Sequence, residues 1–187
     1  MEAVITFINY YEQLPNKWAI TTLSSICSKI IDGNHNPPKG LEQKSDYLML
    51  SSQNIGSTGL INLDKVRYLN KTQFIIENKR TYLQYNDILF TSVGTIGRSF
   101  VYKELNLNLC FQRSVSIIRT FIYPEYLKYF FDAPKTQSFF ISEAAGTAQK
   151  GFYLNQLSSL LILVPPHNQQ KKIVDKIKLV FELIDLS

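Results

Sequence analysis

Residues 146–174 constrain the fold of this chain more than any other stretch, because three kinds of local structure follow one another there. Residues 146–151 combine two glycines with a hydroxyl, an amide and a cation, which is typical of a loop that approaches an anion. The apolar run at residues 157–164 predicts a buried strand. Pro165-Pro166 ends that strand, and the polar run after it opens a helix with apolar residues at helical spacing.

The rest of the chain predicts an α+β domain that is rich in strands in its middle and helical towards its end. Residues 2–13 have apolar positions at helical spacing, and residues 18–31 combine strand-like and short helical character. A long loop follows at residues 32–40, and long loops in compact domains are usually functional or disordered. Further strands are predicted at residues 47–50, 59–63, 74–77, 87–93, 99–102 and 114–119.

Two prolines mark the helical part of the domain. Pro124 suits the first turn of a helix, and Pro134 begins a second helical segment. We therefore expect an N-terminal helix at residues 1–14, a single domain at residues 15–164 and a projecting C-terminal helix at residues 165–187.

The C-terminal helix carries a coiled-coil seam. Ile173, Ile177, Val180 and Ile184 follow one another at spacings of four, three and four residues. A helix of this length is marginal on its own, so the seam requires a partner helix. That partner is either a second copy of the chain or a segment of the same chain, with residues 2–13 as the candidate.

Charge and cysteine content limit the function classes. The formal net charge is +5, and the excess lies in residues 71–120, which hold seven cations and three anions. Such a distribution permits a nucleic-acid partner. Cys27 and Cys110 have no C-x-x-C spacing, so neither a disulfide framework nor a zinc site is predicted. We expect a cytoplasmic location, since no apolar stretch approaches the roughly 20 residues that cross a bilayer and the first residues do not resemble a signal peptide.

Enzyme motifs are missing from the sequence. The Gly94-x-x-Gly97 turn is not followed by the Lys-Ser/Thr pair of a phosphate-binding loop. Residues 164–167, Val-Pro-Pro-His, lack the flanking residues of an adenine methyltransferase motif. His35 and His167 have no catalytic partner nearby in sequence, so no active site and no metal site are predicted. Three carboxylates are expected to be solvated or capping groups: Asp46, Asp64 and Asp87.

Polar loops beside strands offer contacts to DNA instead. Phosphates are bound by Lys, Arg and loop amides, whereas base edges are recognised by Arg, Asn, Gln, Ser and Thr. Candidate DNA-contacting residues, here called readers, lie in three loops: Asn34, His35, Asn36 and Lys39; Ser52, Gln53 and Asn54; and Thr147, Gln149 and Lys150. Candidate phosphate contacts are Arg67, Lys71, Lys79, Arg80, Arg98 and Arg113. Each loop alone could be an ordinary surface turn, and Arg113 could belong to a structural ion pair.

Several motifs in order resemble one known family. Six motifs carry this resemblance. In chain order they are W-x4-L-x2-I at residue 18, the segment 87–97, P-x-Y-L-x-Y at residue 124, the G-T-x-Q loop at residue 146, L-x-x-L-x-I-x-V-P-P at residue 157 and Q-x-x-I-V at residue 170. Together they resemble a target-recognition domain and spacer helix of type I restriction-modification specificity subunits. Asn86 and Gln169 depart from the family pattern, at positions where glycine and glutamate are usual.

The resemblance implies sequence-specific recognition of double-stranded DNA without catalysis. Partner subunits, a DNA methyltransferase and a restriction/translocase subunit, would then carry S-adenosylmethionine, ATP and Mg²⁺, with no cofactor in this chain. Family members usually have two recognition domains joined by two long helices. A chain with one domain is either a half-length subunit that pairs with a second copy or part of a longer subunit. The alternative is a protein-interaction adaptor that recruits a partner through its C-terminal helix.

Overall fold

The fold is seen in a computed structural model, which describes residues 14–104, 106–144 and 150–185. The predicted N-terminal helix at residues 2–13 lies outside these ranges, as do Thr147 and Gln149. Nine strands are described: β1 Ala19–Thr22, β2 Cys27–Asp32, β3 Tyr47–Leu50, β4 Arg67–Leu69, β5 Ile88–Thr91, β6 Ser99–Val101, β7 Asn108–Phe111, β8 Val115–Thr120 and β9 Leu161–Val164. Five α-helices are described: α1 Lys71–Thr81, α2 Pro124–Asp132, α3 Pro134–Ser142, α4 Leu154–Ser159 and α5 His167–Asp185.

The described strands form three sheets. A four-stranded antiparallel sheet has the order β2-β8-β5-β6, and a three-stranded sheet has the order β4-β3-β7. Within the smaller of these two, β3 pairs antiparallel with β4 and parallel with β7. The third sheet is the antiparallel pair of β1 and β9. The structure thus confirms an α+β fold with its helices mainly in the second half.

The two larger sheets meet at Gly33, directly after β2. The Gly33 amide donates to the Val115 carbonyl over 3.0 Å, and the Asn34 amide donates to the Phe111 carbonyl over 2.8 Å. A Cβ atom on residue 33 would lie 2.1 Å from the Phe111 carbonyl oxygen. Only glycine allows the two backbones to approach so closely.

Alternate residues of β5 supply two cores, because successive side chains of a strand point to opposite faces. Phe90 points to the core beneath the helices, where its ring centroid lies 5.5 Å from that of Phe131 and 5.2 Å from that of Phe140. Leu89 points to the second core, which it shares with Phe111. Every residue of β5 is buried, so this strand lies in the middle of the domain.

The first half of α5 docks on the domain. Val174 and Gln170 are buried, and Gln170 Oε1 accepts the Tyr123 amide over 2.8 Å while its Nε2 donates to the Pro165 carbonyl over 2.9 Å. Trp18 Nε1 donates to Gln169 Oε1 over 3.0 Å. Past Ile177 the apolar side chains are more than half exposed: Leu179, Val180, Phe181, Leu183 and Ile184. The second half of the helix therefore projects from the domain.

Three of the predicted strands were wrong wholly or in part. Residues 74–77 belong to α1, because Asn70 caps that helix: its Oδ1 accepts the Gln73 amide over 2.8 Å and Gln73 Oε1 accepts the Asn70 amide over 3.0 Å. Residues 59–63 form no strand and make a single bridge, between Ile55 and Leu60. Within residues 157–164, α4 continues to Ser159 and only Leu161–Val164 is a strand.

Asp87, expected at the surface or in a cap, is completely buried in an ion pair. Arg119 Nε and Nη2 donate to its two carboxylate oxygens, each over 2.8 Å, and the Gln84 amide donates to Oδ2 over 2.7 Å. The hydrogen bond to Asp87 raises the pKa of Arg119. Arg119 Nη2 also donates to the Tyr82 carbonyl over 3.0 Å, which ties the end of α1 to β5 and β8.

We expect Gly33→Ala to lower the free energy of unfolding by about 1 to 3 kcal/mol or more, because the added methyl group would overlap backbone atoms that two sheets hold in place. Gly59→Ala is the matched control, since no atom lies within 4 Å of a Cβ there. It should change stability by less than about 0.5 kcal/mol. Urea denaturation of both variants tests this, and equal stability would show that the junction can relax.

Candidate nucleic-acid interface

Five segments meet at one end of the two larger sheets, where β2, β3, β5 and β7 end and β8 begins. They are residues 33–40, 51–54, 92–95, 112–114 and 150–152, and together we call them the loop edge. The strand pairing brings them together, because β3 and β7 run parallel and end side by side, while β8 starts where its antiparallel neighbours β2 and β5 end. Predicted readers from all three polar loops therefore belong to one surface.

The turn at residues 112–114 is the centre of the loop edge. The Gln112 amide donates to the Leu50 carbonyl over 2.8 Å, and the Arg113 amide donates to the Asn34 carbonyl over 2.9 Å. Ser114 accepts twice, on Oγ from the Ser52 amide over 3.0 Å and on its carbonyl from the Ser92 amide over 2.9 Å. The turn is thus fastened to three of the other four segments.

The fifth segment joins through residue 92. The Phe152 amide donates to the Ser92 carbonyl over 2.8 Å, and Gly151 forms a bridge with Val93. Phe152 is buried with its ring 4.9 Å from that of Phe140, so the segment is anchored in the helical core. Lys150 is exposed beside it.

The charge at the loop edge is positive. None of its five segments contains an acidic residue, and Lys39, Arg113 and Lys150 are exposed cations. Asp32, just before the first segment, is paired with Arg80 and with His35 Nε2, the latter over 2.7 Å. Acidic residues occur at the other end of the strands, where Asp46 precedes β3 and Glu104 follows β6. The loop edge is therefore the end of the domain suited to a polyanion.

Predicted readers in the first loop have local partners. The Asn34 side chain donates from Nδ2 to Glu77 over 2.6 Å and accepts the Asn36 amide on Oδ1 over 2.8 Å. His35 contacts Asp32 through Nε2, but its side chain remains 56% exposed. Of this loop, His35, Asn36 and Lys39 are the exposed predicted readers.

Asn54, predicted to recognise a base, instead holds its own loop together. Its side chain is 1% exposed. Oδ1 accepts the Ser51 amide over 3.0 Å, and Nδ2 donates to the carbonyls of Asn62 over 3.0 Å and Lys65 over 3.3 Å. Because every polar atom of the amide is engaged inside the protein, none faces a base. Its neighbour Gln53 is exposed and Ser52 is half-buried.

Most of the predicted phosphate-binding arginines support loops. Arg67 donates to the Pro38 carbonyl over 2.8 Å, Arg98 donates to the Ile55 carbonyl over 3.0 Å, and Arg80 is bound to Asp32. Lys71 and Lys79 are exposed on α1, which flanks the loop at residues 33–40. The side chain of Arg113 differs from those of the other arginines, because it is exposed and makes no hydrogen bond or ion pair to any described residue.

The described part of the chain offers little for metal binding or thiol chemistry. No group of three or more His, Cys, Asp or Glu side chains there could hold a metal ion. Burial raises the pKa of the Cys27 thiol to about 11 and that of Cys110 to about 12, which suppresses thiolate chemistry. No helix among residues 14–104, 106–144 and 150–185 is long and apolar enough to span a membrane.

Sequence reasoning missed the central position of the turn at residues 112–114. The available signal was a polar triplet, Gln-Arg-Ser, between the apolar runs that became β7 and β8. Such a break predicts a tight turn. Its three partners could not be predicted, because they come from segments far away in the sequence.

Comparison with known proteins gives a consistent result. The profile of the family described as type I restriction modification DNA specificity domain matches residues 15–187. The type I restriction enzyme EcoBI specificity subunit of Escherichia coli is 26% identical over 184 residues, which cover 95% of this chain and 38% of that protein. The chain thus spans less than half of the length of this curated relative.

Solved structures share the fold. The HsdS subunit from Thermoanaerobacter tengcongensis matches with a TM-score of 0.66 at 16% identity, over 92% of this chain and 39% of its own length. A chain from a structure of the assembly and conformational transition of the type I R-M system matches with a TM-score of 0.66 at 17% identity, over 92% of this chain and 40% of that one. The S subunit from M. genitalium has a TM-score of 0.59 at 15% identity, over 90% of this chain and 41% of that one.

We expect Asn54→Ala to lower the free energy of unfolding by about 1 to 3 kcal/mol, because it leaves buried backbone groups without partners. Gln53→Ala, at the exposed neighbouring position, is the control and should change it by less than about 0.5 kcal/mol. Chemical denaturation measures both, and limited proteolysis should show earlier cleavage in residues 55–65 of Asn54→Ala alone. Similar behaviour of the two variants would contradict a loop-holding role for Asn54.

Proposed function

Because the chain belongs to the type I restriction-modification DNA specificity domain family, we propose that its loop edge recognises a sequence in double-stranded DNA. The observation that carries this proposal is the joining of five acid-free segments, with three exposed cations, at one end of the sheets. Phosphate contacts would position the domain on the duplex, while polar side chains between them would recognise base edges. Exposed candidates for these contacts are His35, Asn36, Lys39, Gln53, Arg113 and Lys150, with Thr147 and Gln149 retained from the sequence.

The chain would supply specificity to enzymes carried by other subunits. We assign methyl transfer to a DNA methyltransferase subunit and cleavage to a restriction/translocase subunit, together with their S-adenosylmethionine, ATP and Mg²⁺. This chain would need no cofactor of its own. Its site of action would be the DNA in the cell interior, hence the cytoplasm. The family match concerns a DNA specificity domain and gives no support to the adaptor alternative.

The second half of α5 would join this recognition domain to another. Its exposed apolar residues cannot remain in water without cost, since burial of each aliphatic side chain is worth about 1.5 to 3 kcal/mol. A second copy would bury them in a two-fold arrangement with antiparallel helices and one loop edge at each end. Such an arrangement predicts two inverted half-sites separated by base pairs that are not recognised. The alternative sources of the partner helix are residues 2–13 of the same chain, which the sequence predicts as a helix, and a second recognition domain in a longer subunit.

Replacing Lys39 and Lys150 together by alanine should weaken binding to all duplex sequences and reduce the slope of log affinity against log salt by up to about 2. Fewer neutralised phosphates release fewer counterions, which gives this effect. The control replaces Lys17 and Lys44, two exposed lysines outside the loop edge, and should leave the slope unchanged. Fluorescence anisotropy over a range of salt concentrations measures both. Equal slopes for all three proteins would exclude the two loop-edge lysines from phosphate contact.

Assembly can be tested at the exposed end of the seam. Val180 and Ile184 are 54% and 60% exposed, so Val180→Glu with Ile184→Glu should leave the domain folded. If α5 pairs with a second copy, this variant should sediment as a monomer at concentrations where the wild type is a dimer, because four carboxylates would enter one interface. Lys171→Glu with Lys178→Glu also introduces two carboxylates per chain, with twice the change in net charge, but on a polar face, and should remain a dimer. A monomeric wild type would favour a partner helix from residues 2–13 of the same chain or from another recognition domain.

A further inference from the structure

We infer that Arg113 is a base-specific contact, and that it recognises a guanine through the major-groove edge of that base. The inference rests on the proposed DNA recognition. It goes further by assigning one base type to one side chain, which the sequence had grouped with the phosphate contacts.

The first observation is that the guanidinium of Arg113 makes no hydrogen bond or ion pair to a described residue. The chain contains five arginines, and all five lie in the part that the structure describes. Four of them donate to carbonyl or carboxylate oxygens inside the protein: Arg67 to Pro38, Arg80 to Asp32, Arg98 to Ile55 and Arg119 to Asp87. Arg113 has no such bond to a described residue. Among the five arginines, only Arg113 therefore has a guanidinium with none of its donors bound to a described residue.

The fixed backbone beneath Arg113 is the second observation. Its amide donates to the Asn34 carbonyl over 2.9 Å, and the amide of Gln112 before it donates to the Leu50 carbonyl over 2.8 Å. Ser114 after it accepts the Ser52 amide over 3.0 Å. A side chain that starts from a backbone held on several sides loses less conformational freedom on binding, which favours specific contacts.

Neighbouring acids do not compete for this guanidinium. Glu77 is hydrogen-bonded by the Asn34 side chain over 2.6 Å, and Asp32 is bound by Arg80 and His35. These are the carboxylates that the described contacts bring to the Asn34 side of the turn. Arg113 is thus a cation near the middle of five segments that themselves contain no acidic residue, and both neighbouring carboxylates already have partners.

The chemistry of arginine points to guanine. Its planar fork presents parallel N–H donors, and guanine alone offers two adjacent acceptors, O6 and N7, in the major groove. Adenine offers an acceptor beside a donor and cannot accept both bonds. A phosphate could also accept both N–H bonds of the fork, but a phosphate contact would make no distinction between bases. The exposed lysines of the loop edge are suited to that role.

The test begins with selection from a pool of random duplex DNA by the wild-type protein, which gives the recognised sequence. Each guanine in it is then replaced in turn by 7-deazaguanine, whose position 7 carries C–H and cannot accept a hydrogen bond. One replacement should lower wild-type affinity by about 5- to 150-fold. The same replacement should not affect Arg113→Ala, whose own selected sequence should become degenerate at that base pair.

Lys150→Ala is the matched comparison. It should bind all sequences more weakly than the wild type and keep full sensitivity to 7-deazaguanine at the same position. Arg113→Ala with equal losses on every sequence and unchanged 7-deazaguanine sensitivity would make Arg113 a phosphate contact and overturn the inference, while leaving the proposed function standing. A wild-type protein that enriches no sequence would overturn the proposed function itself. Thermal unfolding should show that Arg113→Ala is as stable as the wild type, since its side chain is exposed.

Discussion

The close contact between Gly33 and the backbone at Phe111 determines how the two larger sheets are joined. With no Cβ atom at residue 33, the chain leaving β2 can hydrogen-bond to both β7 and β8. This junction puts the ends of four strands, and the start of β8, on one side of the domain. The convergence of four of the five loops is therefore a consequence of sheet topology, whereas residues 150–152 join through their backbone contacts with Ser92 and Val93.

Internal hydrogen bonds then fix the shape of those loops. Asn54 binds three backbone groups within its loop, and Arg67 and Arg98 each donate to a carbonyl of a neighbouring segment. Buried polar groups must be paired, so the Asn54 amide is committed to structure and is lost to recognition, whereas the half-buried Arg67 and Arg98 commit only part of their guanidinium groups. The free side chains of the loop edge consequently stand on a scaffold that is already ordered, which lowers the entropic cost of binding.

Local sequence signals predicted the elements that depend on local physics. Pro124 and Pro134 indicated the starts of two helices, and the apolar run around Phe90 indicated a central strand, because proline geometry and burial act within a few residues. Residues 74–77 were misassigned because Phe-Ile-Ile resembles a strand, whereas the cap at Asn70 makes it part of a helix. The burial of Asn54 depends on carbonyls eight and eleven residues further on, and that of Asp87 depends on Arg119, so neither could be predicted from nearby residues.

Residues 146–174, the stretch that most constrains the fold, also connect the loop edge to helix α5. Residues 150–152 belong to the loop edge, and the chain then passes through α4 and β9 to Pro165-Pro166 and α5. Phe152, Leu157 and Ile162 are all buried in one core, while Gln170 fastens the start of α5 to the Tyr123 amide. Because the elements between residue 152 and α5 pack into one core and β9 pairs with β1, a partner helix on α5 is held at a fixed position relative to the loop edge. The separation of two recognised half-sites would then be set by rigid packing within each domain and by the length of the helix between them.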